Sequence, residues 1–194
     1  MKTIHRTTIK CLGLAALSLV ITNCAAPSGN TSGEKRSDIH AMTKQTLGEL
    51  YSTKPEARSL VANSAGYAVF NQIETKVFTA GSANGYGVAV NKATGKETYM
   101  RMAGLSAGFG AGLTNTRTVI IFRKASTYNK FISSGWSAAA DAQAAAALDR
   151  SGVGAGVSIN PTVDPVVYHM TRSGVAVSAS VGAEKVWADK SLNH

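Results

Sequence analysis

Gly104–Leu113 reads GLSAGFGAGL, and its alternation decides the fold class. Even positions hold Gly104, Ser106, Gly108, Gly110 and Gly112; odd positions hold Leu105, Ala107, Phe109, Ala111 and Leu113. Side chains alternate across a strand, so this segment offers one apolar face and one nearly bare face. The same pattern returns at Gly85–Val90 (GYGVAV), Gly152–Ile159 (GVGAGVSI) and Gly174–Ala183 (GVAVSASVGA). Glycine weakens a strand's interior, so repeated glycines mark close backbone approach or a sharp bend. Flexible linkers show no such alternation. The pattern predicts a packed β architecture.

Outward from these strands, the N-terminal side reads as helix. Ile39, Met42, Leu47, Leu50 and Tyr51 fall close to a helical stripe between Glu34 and Ser52. Pro55 opens a second helix through Val61, stopped near Asn63 and Gly66. Tyr67–Phe70, Lys76–Val90 and Glu97–Leu113 read as strands, with Asn91–Lys96 (NKATGK) as a hairpin connection. Thr118–Phe122 (TVIIF) is a continuous apolar run, expected to be a strand buried on both faces. Lys124–Ser133 carries Tyr128, Phe131 and Ile132 at helical spacing, and Ala138–Leu148 has the alanine content of a helix. Short strands pairing in sequence order, with helices at the start and middle, predict an α+β fold. Its sheet is expected to be largely antiparallel and glycine-rich, sandwich- or barrel-like, with N-terminal helices and one mid-chain helix.

The 194 residues suit one domain, and 44% apolar residues are ample for a core. Met1–Lys10 is a short basic segment, followed by the apolar run Cys11–Thr22. That run is too short for a bilayer-spanning helix, which needs roughly 20 apolar residues, and reads as a signal peptide. Ile21-Thr22-Asn23-Cys24 resembles a bacterial lipoprotein signal, with Cys24 the lipidation site; cleavage after Ala26, giving a secreted protein, is the competing reading. The expected organisation is a lipoprotein signal over 1–23, a flexible tether over 24–33 and one domain over 34–194. Cys11 leaves with the leader, so the folded domain carries no thiol and depends on its core rather than on disulfides. Ala25 after the cysteine resembles sorting to the outer membrane, on its periplasmic face.

The formal charge is +9, of which Lys2, Arg6 and Lys10 lie in the leader. A basic excess favours anionic partners. Lys92, Lys96, Arg101, Arg117, Arg123, Lys124 and Lys130 form the candidate binding set, weighed against a plain solvated surface. Each cation near an anionic membrane contributes about 1 kcal/mol, so several on one face would assist a lipid anchor. Catalytic signals are weak. Gly135-Trp136-Ser137-Ala138-Ala139 lacks the last glycine of a nucleophile elbow. His5, His40, His169 and His194 have no metal-ligand spacing with one another or with a cysteine, and no catalytic residue, metal or cofactor is expected. Gly108–Gly112 lacks the Lys-Ser/Thr of a phosphate loop and sits inside a strand. A small transmembrane barrel is disfavoured, because aromatics are only 7% and helices interrupt the strands.

Ser64–Val90 (SAGYAVFNQIETKVFTAGSANGYGVAV) resembles the opening signature of the SYLF lipid-binding domain family. Met102–Leu113, Val119–Phe122, Phe131 with Gly135-Trp136 and Ala140-Asp141-Ala142, and Val167–Val186 resemble its later blocks in order. Asn71 and Ala80-Gly81 depart from the family's usual proline and glycine pair. The resemblance reads Trp136–Ala147 as extended, against helix propensity, and the extended reading is preferred here. It implies a non-enzymatic module of the cell envelope that binds anionic phospholipid, with nucleic acid not expected as a partner. The alternative it leaves open is a structural lipoprotein that contacts another envelope protein and has no specific lipid ligand.

Overall fold

The computed structural model describes residues 25–137, 164–172, 177–178 and 181–194. Three helices and six strands occur among them: α1 (Ser32–Thr53), α2 (Glu56–Ala62), β1 (Gly66–Asn91), β2 (Glu97–Phe122), α3 (Ala125–Ser134), β3 (Trp136–Ser137), β4 (Val166–Arg172), β5 (Val177–Ser178) and β6 (Val181–Ala188). The α+β class expected from sequence is observed. All strand pairs are antiparallel: β2 carries β1 along one edge and β4, β5 and β6 along the other, and β3 adds to β6.

The dominant element is one long hairpin. Tyr67–Phe70 and Lys76–Val90 were expected as separate strands, as were Glu97–Leu113 and Thr118–Phe122. Each pair instead merges into a 26-residue strand, without a proline, paired from Gly66–Phe122 to Val90–Glu97 with one register shift between Phe78 and Ala80. Straight, such a strand would reach about 85 Å at roughly 3.3 Å per residue. Yet the ends of β1 meet: the Lys92 amide donates to the Ala65 carbonyl at 3.1 Å. The strand therefore doubles back on itself.

The bare strand faces permit this. A β-carbon on Gly85 would lie 2.7 Å from the Asn71 carbonyl oxygen, and one on Gly87 would overlap the Val69 carbonyl and the Phe70 ring. The glycines line the inside of the curl, where one half of β1 rests on the other. The reversal centres on a register shift between Phe78 and Ala80, and Phe78 takes a left-handed backbone at φ 55°. Across the shift the faces exchange parity. Ala68 and Phe70 share the inner core with Ala89, whereas Val69 shares the outer core with Val88. The sheet is curled, and among the described residues it does not close into a barrel.

Helices cover both faces at one end. Outside, Ile39, Met42 and Leu50 of α1 and Ala57 and Val61 of α2 pack on Val69, Val88, Tyr99, Val119, Ile121, Val166 and Tyr168. Inside, Tyr128 and Phe131 of α3 close over Phe70 and Phe122; the Phe122–Tyr128 and Phe122–Phe131 ring centroids are 5.6 and 4.9 Å apart. Val119–Phe122 is fully buried, as its unbroken apolar run predicts. Burying a side chain of this size contributes about 1.5–3 kcal/mol, so this strand is the hub of both cores.

The helix boundaries follow local chemistry. Thr31 caps α1 by accepting from the Glu34 amide at 3.2 Å, while the Glu34 carboxylate accepts from the Asn30 and Thr31 amides at 2.7 and 3.0 Å. This capping box starts the helix two residues before Glu34. The Ser28 amide donates to Asp38 at 3.0 Å, so the residues just ahead of α1 fold back along it. Gly135, at φ 66°, ends α3 and turns the chain onto β6. Among the described residues no helix is long and apolar enough to cross a membrane. The Cys24 lipidation, the Ala138–Leu148 helix propensity and the Gly152–Ile159 strand lie outside the described residues.

Candidate functional site

The structure sorts the seven candidate cations by place. Lys92 and Lys96 stand in the β1–β2 turn, both exposed. Asn91 shapes that turn: its side-chain oxygen accepts from the Ala93 and Thr94 amides, each at 3.0 Å, and its carbonyl accepts from Gly95 at 2.8 Å. Gly95 adopts φ 70°, which an L side chain resists. The closure of β1 then brings this turn to the far end of β2. Ala65 bonds Lys92 through its carbonyl and Phe122 through its amide, at 3.1 and 2.9 Å, and Arg123 and Lys124 follow Phe122 directly. Residues some thirty apart in sequence thus meet at one end of the sheet.

Asp164 holds the second half of this rim. Its carboxylate accepts from the amides of Arg123 and Lys124 at 2.7 and 3.2 Å and from the Thr127 hydroxyl at 2.7 Å. It supplies the cap that α3 lacks locally, since Lys124 at the N-cap has no side-chain acceptor to offer. Lys130 follows on the exposed side of α3, whose Tyr128 and Phe131 face the core. Lys92, Lys96, Arg123, Lys124 and Lys130 therefore border one end of the molecule.

Arg117 and Arg101 do not join them. Arg117 reaches under α1, where its guanidinium donates to the Thr46 hydroxyl at 3.1 Å, so it fastens helix to sheet. Arg101 is exposed on β2, opposite Tyr86 on one side and Trp187 on the other. Ser137, the serine of the incomplete elbow, lies in β3 opposite Lys185.

Two groupings have no signature in the sequence. The first joins α1 to the start of β2: His40 Nε2 lies 2.8 Å from the Tyr99 hydroxyl and 2.9 Å from Glu97, to which Tyr99 also donates at 2.8 Å. Burial, then the bond to Glu97 and its charge, push the Tyr99 hydroxyl well above the usual tyrosine range. The second lies inside the curl. Gln72 donates to Glu184 at 2.6 Å, and the Lys76 ammonium, 3% exposed, lies 3.2 Å from Glu74. Burial raises the Glu184 carboxyl above its ordinary value, Gln72 lowers it and Glu74 raises it further. The signal that could have found this cluster is strand parity, which places Gln72, Glu74 and Lys76 on the Phe70 face. His169, across from Thr118 with Nδ1 3.1 Å from its hydroxyl, is exposed.

Fold and site together define an α+β domain whose curled hairpin gathers a cationic rim at the helix-covered end. The chain is similar to the curated protein "Beta cell expansion factor A" of Aeromonas veronii, 31% identical over 164 residues. The match covers 84% of this chain and 60% of that protein, so the chain spans less than two thirds of its relative's length. No family model matches the chain.

Proposed function

We propose that the protein is a lipid-anchored, non-enzymatic module of the bacterial envelope, of the SYLF lipid-binding family, that associates with anionic phospholipid. The observation that carries the reading is the rim. Lys92, Lys96, Arg123 and Lys124 are drawn to one end of the sheet by the Ala65 hydrogen bonds, with Lys130 beside them on α3. A membrane-surface role needs cations on one face, since each contributes about 1 kcal/mol only within a Debye length of the lipid. Lipidation at Cys24 would hold the domain at the membrane, where a rim of modest affinity suffices.

Vesicle cosedimentation of the full chain carrying Cys24→Ser tests this. Binding to phosphatidylglycerol vesicles should exceed binding to phosphatidylcholine vesicles and should fall as salt rises. Equal binding to both, or indifference to salt, rejects the reading. A defined protein neighbour recovered by crosslinking in cells, without lipid preference in vitro, supports the envelope-protein alternative instead.

A further inference from the structure

A second surface stands on the outward face of β2 and β6. Met100, Met102 and Val186 are buried inside the curl, so alternation sends Arg101, Leu105, Lys185 and Trp187 to the other side. They are neighbours there: Arg101 pairs with Trp187, Ala103 with Lys185 and Leu105 with Ala183. Leu105 is 73% exposed and Trp187 38%. Further round the convex side, Val77 is 59% and Leu113 58% exposed, on paired positions Val77–Ala111 and Thr75–Leu113. Phe78, at the bend itself, is also exposed but pairs with Gly110 on the inner-face parity, so it is not part of this surface.

Charge on this surface has one sign. Among the described residues of 73–84, 101–113 and 184–187, the acids are Glu74 and Glu184, and both are engaged with partners inside the curl, Lys76 and Gln72. The exposed charges are Arg101 and Lys185, both basic. Exposed leucines and a valine beside a tryptophan and two cations are the composition of a membrane-interface anchor, where the indole sits at the headgroup level.

We propose that this convex face inserts into the interfacial layer of an anionic phospholipid bilayer, Leu105, Leu113 and Trp187 entering among the acyl chains while Arg101 and Lys185 meet the headgroups. The inference rests on the lipid-binding reading and adds a penetrating face distinct from the rim of Lys92, Lys96, Arg123, Lys124 and Lys130.

Tryptophan quenching by phosphatidylglycerol vesicles with brominated acyl chains tests it on the full chain. The bound parent should be quenched, and Trp187→Phe should lose most of that quenching. Val77→Ser with Leu105→Ser should weaken binding about tenfold, equivalent to about 1.4 kcal/mol. Lys92→Ala with Lys96→Ala should leave the quenching per bound molecule unchanged. Circular dichroism checks that each variant is folded; if the double serine variant is not, Leu113→Ser, at another exposed site, replaces it and should weaken binding in the same direction. A bound parent that escapes quenching, serine variants that bind as the parent does, or serine variants that dissolve a self-associated form each overturn the proposal while leaving the lipid reading in place. A parent that does not prefer anionic vesicles removes both.

Discussion

Gly87 lies directly on the carbonyl of Val69, within the same strand, with no room between them for a β-carbon. Two residues eighteen apart along β1 are thus stacked, and the curl of the sheet depends on their contact. Gly87→Ala should destabilise the protein by about 3 kcal/mol, the upper end for overpacking, because the obstructing atom is backbone. Gly48, on the exposed side of α1 with nothing within 4 Å of its missing side chain, supplies the contrast. Gly48→Ala should stabilise by about 0.5–1 kcal/mol through helix propensity. Urea unfolding of both variants measures the difference.

The rim and the arginine under α1 should separate by readout. Lys92→Ala with Lys96→Ala removes two surface cations, about 1 kcal/mol each near an anionic membrane, so vesicle affinity should drop roughly thirtyfold at low salt. Thermal stability should hardly change. Arg117→Ala should do the reverse, lowering the melting temperature through loss of the bond to Thr46 while sparing vesicle binding.

Asp164 should matter for stability although no sequence motif marks it. Asp164→Ala leaves the Arg123 and Lys124 amides and the Thr127 hydroxyl without their shared acceptor. The loss of a helix cap of this kind costs about 1–2 kcal/mol. Chemical denaturation measures it, and increased hydrogen exchange at Arg123 and Lys124 would localise it.

Glu184 should give the stability a pH dependence of defined sign. Its carboxyl is raised in the folded protein, so the folded state holds a proton that the unfolded chain releases near 4.5. Its contribution to stability is full below that value and is lost as pH rises through the folded value. Glu184→Gln keeps an acceptor for Gln72 and removes the charge. The variant should be more stable than the parent at pH 7, with a smaller decline as pH rises above 4.5. Glu34, lowered by the Asn30 and Thr31 amides, acts in the opposite sense, losing its contribution as pH falls below 4.5. Unfolding midpoints measured from well below pH 4.5 up to pH 8 resolve the two.

The elements are more legible in the sequence than their joining. The stripe of α1, the run Val119–Phe122 and the parity of Gly85 and Gly87 each have a local cause, and each could be seen in a few residues. The bend at Phe78 could not. Neither Phe78 nor Thr79 is a turn former, so nothing local announces that β1 exchanges its faces there or that its ends meet. Lys92, Lys96, Arg123 and Lys124 were legible as residue types, but their meeting depends on that closure. Arg117 looked the same in sequence and is diverted by Thr46, a contact from another element. The clusters His40–Glu97–Tyr99 and Gln72–Glu184 join residues too far apart for spacing to reveal.

The hydrogen bond from Lys92 to Ala65 has a consequence for the order in which the molecule acquires its properties. A hairpin that zips from the Asn91–Lys96 turn finishes at Gly66–Phe122, and the curl returns that last pair to the place where zipping began. The cations on the two sides of this seam are strangers until the final registration. A chain whose hairpin is incompletely registered therefore carries these charges apart. The rim is complete only when the whole hairpin is registered, and an incompletely zipped chain cannot present it.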